Sequence, residues 1–161
     1  MMSGNRSNNK RLLGLLVSPV VLIRLSSILV FLLMIGHMTA YPWTSTHNLQ
    51  ETQLVDSMKS VKLEFFGERS AYWSLYFGWG FLVGVLLLTL AIILWLLSDL
   101  ARLVPRPVGV ITGISSVSCL VGAYLSYRFF YMPPILFFCL TCVILLAAAV
   151  QLRRQQPSAN L

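Results

Sequence analysis

Charged residues are scarce in this sequence. They make up 11% of its 161 residues, while hydrophobic residues make up 57%, whereas a soluble domain carries about 25% charged residues. This composition argues against a water-soluble fold. Acidic residues are the rarest charged class, with five against twelve Lys and Arg, which gives a net charge of +7. The basic residues lie in short clusters beside apolar runs, so membrane orientation explains them better than a nucleic-acid partner.

Cysteine and histidine are also few. The three cysteines all lie inside apolar runs, so the sequence contains no disulfide framework for an exported domain. The two histidines, His37 and His47, lie ten residues apart and match no metal-ligand spacing, which predicts that no metal is bound. Phosphate-binding loops, nucleophile elbows and kinase signatures are absent, so no cofactor can be named.

Long apolar runs are the main feature that is present. A helix needs about 20 residues to cross the hydrocarbon core of a bilayer, and four segments meet that length: 20–40, 74–97, 107–127 and 134–152. The sequence therefore predicts an all-α membrane protein, a four-transmembrane-helix bundle forming a single domain over 1–161. The first apolar stretch, residues 12–40, is much longer than a signal-peptide core of about 7–15 residues, so we expect it to be retained.

The distribution of basic residues predicts the orientation. Seven lie near one set of span ends: Arg6, Lys10, Arg11, Arg102, Arg106, Arg153 and Arg154. Four lie on the other side: Lys59, Lys62, Arg69 and Arg128. Because cytoplasmic loops are enriched in Lys and Arg, both termini are predicted to be cytoplasmic and the protein to lie in the cell (inner) membrane.

The loop over 41–73 is then on the outer side, and it has helical periodicity. Apolar residues recur at helical spacing between Leu54 and Phe66, which predicts an amphipathic helix over about 49–66. Asn48 and Glu51 have the spacing of a capping box, and Gly67 suits the position after the helix. Such a helix is expected to lie on the outer leaflet or to cap the bundle.

Small residues and one arginine bear on how the spans pack. Gly80 and Gly84 in the second span, and Gly109 and Gly113 in the third, allow close helix contact, either within the monomer or in a homo-oligomer. Arg24 lies near the cytoplasmic end of the first span. Two interpretations are open, a side chain that extends to the interface or a partner for an anion.

Polar and aromatic residues gather at the predicted outer ends of the spans. They form a candidate binding site for a lipid-like small molecule or a partner membrane protein: His37, Trp43, His47, Glu64, Tyr72, Trp73, Tyr76, Tyr124 and Arg128. An interfacial aromatic belt is the simpler explanation for the aromatic members. A histidine beside carboxylates could also act as a base or bind a metal, although the spacing does not favour this.

A second candidate is the run Cys139-Leu140-Thr141-Cys142, whose i,i+3 thiols share a helix face. Four spans, a long loop after the first, and a CxxC near the outer end of the fourth resemble the vitamin K epoxide reductase family. That resemblance implies a quinone-facing redox pair, Cys139 and Cys142, in a membrane thiol/quinone oxidoreductase. The family also uses a cysteine pair in the outer loop, and residues 41–74 contain no cysteine.

A second resemblance covers residues 36–84. Gly36-His37, Met58, Phe66-Gly67, Ser70, Trp73 and the run Gly78-Trp79-Gly80 are similar to uncharacterised small bacterial four-span membrane proteins, and no activity comes with that likeness. A coupled transporter is disfavoured, because the predicted spans contain no carboxylate and Asp99 falls just beyond the second span. We therefore expect non-enzymatic binding at the outer face, with the thiol oxidoreductase as the alternative.

Overall fold

The described part of the chain is all-α apart from one short hairpin. The structure, a computed structural model, describes residues 18–40 and 46–155. In chain order the elements are α1 (Pro19–Ala40), α2 (Leu49–Ser60), β1 (Lys62–Phe65), β2 (Glu68–Ala71), α3 (Tyr72–Leu100), α4 (Pro105–Phe129) and α5 (Met132–Arg154). Four of these helices, α1, α3, α4 and α5, are long and apolar enough to cross a bilayer. The predicted four-helix, multi-pass membrane architecture is confirmed.

Each long helix extends beyond its predicted span, by up to three residues at an end. The largest difference is at the end of α3, which continues to Leu100 and so includes Ser98 and Asp99 in its last turn. Asp99 is therefore part of a spanning helix, where the sequence pattern placed it just beyond one. Pro105 begins α4 and prolines also stand in the first turn of α5, where a missing N–H leaves no helical hydrogen bond unmade.

The α1–α3 segment, residues 46–71, differs from the predicted single helix over 49–66. Helix α2 ends at Ser60, because Val61 has extended backbone angles (φ −78°, ψ 124°). The following residues alternate polar and apolar from Lys62 to Phe65, a period of two that favours a strand. They pair antiparallel with Glu68–Ala71. The predicted helix is thus correct for its first two-thirds and wrong for the remainder.

The hairpin turn explains where the helix prediction failed. Phe66 and Gly67 form a two-residue loop with φ values of +51° and +87°. Positive φ at both positions defines the type I′ turn, whose twist matches that of the flanking strands. Gly67, predicted to follow a helix end, instead closes this turn. The predicted helix start is correct, since the Asn48 side chain accepts a hydrogen bond from the Glu51 N–H at 2.8 Å.

The sequence predicts one domain over 1–161, and the described residues form two compact units. The first contains the part of α1 up to Leu33 and the chain from Thr89 onward, and the second contains Met34–Leu88. Helices α1 and α3 therefore contribute residues to both units.

Helices α4 and α5 form the close antiparallel pair of the first unit. A Cβ built on Gly109 would stand 3.2 Å from Leu152 Cβ, and one built on Gly122 would stand 3.0 Å from the Phe138 ring. Only residues without a side chain permit this approach. Of the two interpretations of the α4 glycines, packing within the chain is the one found, so this face is not open to a second copy.

Candidate functional site

His37 is engaged with the backbone of α3 in the second unit. Its Nε2 lies 2.8 Å from the carbonyl oxygen of Gly80. A carbonyl oxygen only accepts, so Nε2 must carry the proton and donate. Near this contact a side chain on Gly84 would collide with Met38. His37 therefore links α1 to α3 at a point where glycine keeps the two helices close.

His47 lies at the start of α2, and its backbone rather than its ring makes the contact that the structure shows. The His47 N–H donates to Glu51 Oε2 at 2.6 Å. In a capping box the carboxylate reaches the N–H of the capping residue itself, whereas here it reaches one residue further back. Glu51 is thereby used in capping the start of α2. Across residues 18–40 and 46–155, no group of three His, Cys, Asp or Glu side chains could hold a metal ion.

Glu64 pairs across the hairpin. It stands directly opposite Arg69 in the β1–β2 register, and Arg69 Nε lies 3.4 Å from Glu64 Oε2. Both side chains are largely exposed, and an exposed pair of this kind contributes about 0–1 kcal/mol. Glu64 thus pairs within the hairpin, and the binding role that the sequence analysis expected for it stays a prediction.

An aromatic and cationic cluster lies where the hairpin joins α3. The Trp73 and Tyr76 ring centroids are 5.8 Å apart. Lys59 Nζ, from the end of α2, lies 5.4 Å from the Trp73 ring centroid. The Tyr72 N–H donates to the Val61 carbonyl at 3.2 Å, which joins the end of α2 to the start of α3. Trp73 and Tyr76 are the predicted site residues that the structure brings together, and Lys59 is the member that the sequence analysis omitted.

The remaining predicted site residues are placed elsewhere. Tyr124 and Arg128 lie on α4 in the first unit, both with exposed side chains. Trp43 lies outside the described residues.

A polar cluster at the end of α3 was not assigned to any site from the sequence. Arg24 Nη2 donates to Asp99 Oδ1 at 2.6 Å, and Arg24 Nε donates to Ser98 Oγ at 3.1 Å. The guanidinium carbon lies 5.3 Å from the Trp95 ring centroid. Arg24 contacts an anion, the chain's own Asp99, but its side chain is 45% exposed and does not face a buried interior. Extension of Arg24 to the membrane interface stays a prediction. The sequence signal was one Arg inside the first predicted span and one Asp just beyond the end of the second.

The cysteines occupy three environments on α4 and α5. Cys119 is buried, Cys142 is partly buried and Cys139 is exposed, and all three are free thiols. Ser116 donates to the Cys142 carbonyl at 2.9 Å, and its Oγ lies 3.5 Å from Cys142 Sγ. Helix α5 begins at Met132, so the CxxC lies inside the helix. Activated thiols are favoured at helix N-termini, where unpaired N–H groups stabilise a thiolate.

No protein-family model matches this chain, and comparison with curated proteins and with solved structures also gave no match.

Proposed function

We propose that this multi-pass membrane protein binds a lipid-like amphiphile on its α1–α3 segment and catalyses no reaction there. The observation that carries the proposal is the exposure of apolar side chains in this short segment. Leu49 is 72% exposed, Leu54 60%, and Phe66 is fully exposed. Water solvates such surface poorly, whereas the acyl boundary of a bilayer solvates it well.

The choice of residue at the hairpin tip supports the same function. A backbone φ of +51° is uncommon for a bulky residue, and the first position of a type I′ turn is occupied preferentially by Asn, Asp or Gly. Phe66 therefore does not serve the turn. A fully exposed ring at the tip is explained by an apolar contact outside the chain.

The cationic and aromatic cluster supplies the polar end of the binding surface. Lys59 beside the Trp73 ring presents a positive charge next to aromatic faces, and Trp and Tyr prefer the headgroup level of a bilayer. A ligand with an anionic headgroup and an acyl chain matches this pairing of charge and apolar surface.

We also propose that the α1–α3 segment faces outward and both termini face the cytoplasm of a cell (inner) membrane. The turn after α3, the start of α4 and the end of α5 carry Arg102, Arg106, Arg153 and Arg154. Contact of Gly109 with Leu152 places the start of α4 beside the end of α5. Basic residues concentrated at one end support a cytoplasmic position for that end.

Photocrosslinking tests the binding proposal. The purified protein would be reconstituted in phosphatidylglycerol vesicles that contain a lipid with a diazirine in its acyl chain. After illumination, mass spectrometry would identify the peptides to which this lipid is crosslinked. Labelling of residues 46–76 above that of the rest of the chain is expected. Lys59→Ala should reduce it by up to about fivefold, because it removes a positive charge worth about 1 kcal/mol of attraction to an anionic headgroup. The matched control Lys62→Ala removes the same charge from the same segment and should change it little.

Two outcomes would overturn the proposal. Uniform labelling along all apolar helices would mean ordinary solvation by the bilayer. Labelling of residues 46–76 that is abolished by a co-purified membrane protein would mean that a protein partner occupies the segment. Orientation has a separate test, in which alkaline phosphatase fused within 46–60 should be active and the same enzyme fused at the C-terminus inactive.

The second candidate function is the thiol/quinone oxidoreductase. The exposure of Cys139 favours it, because a free thiol on the surface of a spanning helix is accessible to a quinone dissolved in the bilayer. In such a reaction the two thiols would form a disulfide and pass two electrons and two protons to the quinone. The position of the pair inside α5 and away from its N-terminus supports the non-enzymatic proposal instead.

A further inference from the structure

One end of the first unit is strongly basic. Within the described residues of that end there is one carboxylate, Asp99, and there are five arginines: Arg24, Arg102, Arg106, Arg153 and Arg154. We call this set the basic end. Even with Asp99 paired, several positive charges stay uncompensated, and they attract an anion to this part of the molecule.

Arg24 is held in a fixed orientation at the basic end. Ser98 is buried and donates its own hydroxyl proton to the Trp95 carbonyl at 2.6 Å. Its oxygen therefore accepts from Arg24 Nε, while Asp99 accepts from Nη2 and the Trp95 ring lies beside the guanidinium. Three neighbours on one helix thus fix the plane of the guanidinium without using all of its five N–H donors.

The unused donors belong to a side chain that is partly exposed. The Arg24 side chain is 45% exposed, and Nη1 donates to no acceptor in the described part of the chain. A planar guanidinium with three donors unused, two of them on Nη1, matches the oxygens of a phosphate group. Arg102 follows Asp99 by three residues, in the turn after α3, and adds a second positive charge on the same segment.

Apolar surface next to these charges favours a lipid over a free anion. Trp95 and Leu100 are exposed beside the pair, and Leu103 and Val104 are exposed in the following turn. Inorganic phosphate would gain nothing from these side chains, whereas an acyl chain would cover them.

We propose that the basic end is a binding site for the phosphate headgroup of an anionic phospholipid, contacted by Arg24 and Arg102. Arg24 donates to the phosphate through Nη1, and Asp99 both orients Arg24 and competes with the phosphate for its charge. Basic pockets between helix ends on the cytoplasmic side are established places for such headgroups. The site is separate from the α1–α3 segment and does not depend on the function proposed for it.

The direction in which Asp99→Asn changes the lipid affinity distinguishes this site from a purely structural ion pair. Asp99→Asn keeps a hydrogen-bond acceptor for Arg24 and removes the competing charge, so lipid affinity should rise. Arg24→Gln should lower the affinity about tenfold, the value of one charge-assisted hydrogen-bond group. Arg24→Lys keeps the charge but loses the planar donors, so its affinity should lie between those of the wild type and Arg24→Gln.

Native mass spectrometry of the full chain in a neutral detergent measures this directly. Phosphatidylglycerol, phosphatidylcholine and inorganic phosphate would be titrated in parallel. Preference for phosphatidylglycerol over both others is expected, and equal competition by inorganic phosphate would identify a free-anion site instead. Arg128→Gln, which removes an arginine from the opposite end of α4, should leave the affinity unchanged. Because detergent exposes both ends of the protein, the result is independent of its orientation.

Unfolding temperatures of all variants would show whether each one is folded. If Arg24→Gln does not fold, Asp99→Asn still decides the question. An unchanged or reduced phosphatidylglycerol affinity in folded Asp99→Asn would overturn the proposal, as would equal losses in Arg24→Gln and Arg128→Gln.

Discussion

Arg24 Nη2 and Asp99 Oδ1 lie 2.6 Å apart and join the second turn of α1 to the last turn of α3. The two residues are 75 positions apart in the chain. Ser98, the residue before Asp99, accepts from the same guanidinium. These contacts connect the first two spanning helices in the first unit through polar atoms, whereas α4 and α5 in that unit meet through glycine.

The first prediction concerns this pair. Arg24→Ala and Asp99→Ala should each destabilise the protein, and the double variant should lose less than the sum of the two. Because both side chains are about half exposed, we expect a coupling energy of about 1 kcal/mol, at the upper end for solvent-exposed pairs. Unfolding in mixed detergent micelles measures the free energy of unfolding of the wild type, the two single variants and the double variant, which together form a double-mutant cycle. Full additivity would show that the contact contributes nothing.

The second prediction uses two adjacent serines on α1. Ser27 Oγ donates to the Ala91 carbonyl at 2.6 Å, whereas Ser26 Oγ is buried and has no hydrogen-bond partner among the described residues. Ser27→Ala should cost about 0.6 kcal/mol, the average for a hydrogen bond between spanning helices. Ser26→Ala removes a hydroxyl that makes no bond and should be neutral or stabilising. Equal losses on chemical unfolding would contradict this assignment.

The third prediction concerns glycines. Gly109→Ala and Gly122→Ala place a methyl group against Leu152 and the Phe138 ring, so each should destabilise the α4–α5 pair by about 1–3 kcal/mol. Gly78→Ala is the matched control on α3, since a Cβ there meets nothing within 4 Å in the described structure. It should be neutral or gain up to about 1 kcal/mol of helix propensity. Thermal unfolding of the three variants measures their stabilities, and Gly78→Ala should unfold at a higher temperature than the other two.

The fourth prediction separates stability from binding at the hairpin tip. Phe66→Asn supplies the residue that a type I′ turn prefers before glycine, so the hairpin should become more protected in hydrogen exchange. Photocrosslinking of lipid to residues 46–76 should fall at the same time, because the exposed ring is lost. Gly67→Ala, at φ +87°, should instead reduce the protection. Unchanged crosslinking in Phe66→Asn would remove this residue from the binding surface.

The fifth prediction tests the thiol pair by alkylation. A membrane-permeant maleimide should react fastest with exposed Cys139, more slowly with Cys142 and slowest with buried Cys119. If the non-enzymatic proposal is correct, the mass added should be the same with and without prior reduction. A reductant-dependent increase of two labels, lost in Cys139→Ser, would support the oxidoreductase instead.

Much of the fold could be predicted from the sequence because the apolar runs are long and nearly free of charge. The number of spanning elements and their helical type followed directly from these runs, and the start of α2 followed from Asn48. The end of α2 did not, since Val61 to Phe66 contain apolar residues that satisfy a helical period and a strand period almost equally well. The two-residue turn at Phe66-Gly67 decides between them. Phe is an unusual first residue for that turn, so turn chemistry gave no signal.

The candidate sites were harder to predict than the fold. Trp73 and Tyr76 are three residues apart on one helix, and their proximity follows from helical geometry. The contact between Arg24 and Asp99 depends on how far α3 continues, and the pattern ended that span two residues before Asp99. Side-chain partners between distant elements, such as His37 with the Gly80 carbonyl, have no local signature at all.

The long chain separation of Arg24 and Asp99 has a consequence for biogenesis. Helix α1 precedes α3 in the chain, so Arg24 is translated before Ser98 and Asp99, the residues that pair with it. Arg24 must at that stage be stabilised by headgroups and water at the membrane surface. Its carboxylate partner arrives only when the end of α3 has been made, so the Arg24–Asp99 pair forms later than the contacts that Gly80 and Ala91 make with α1.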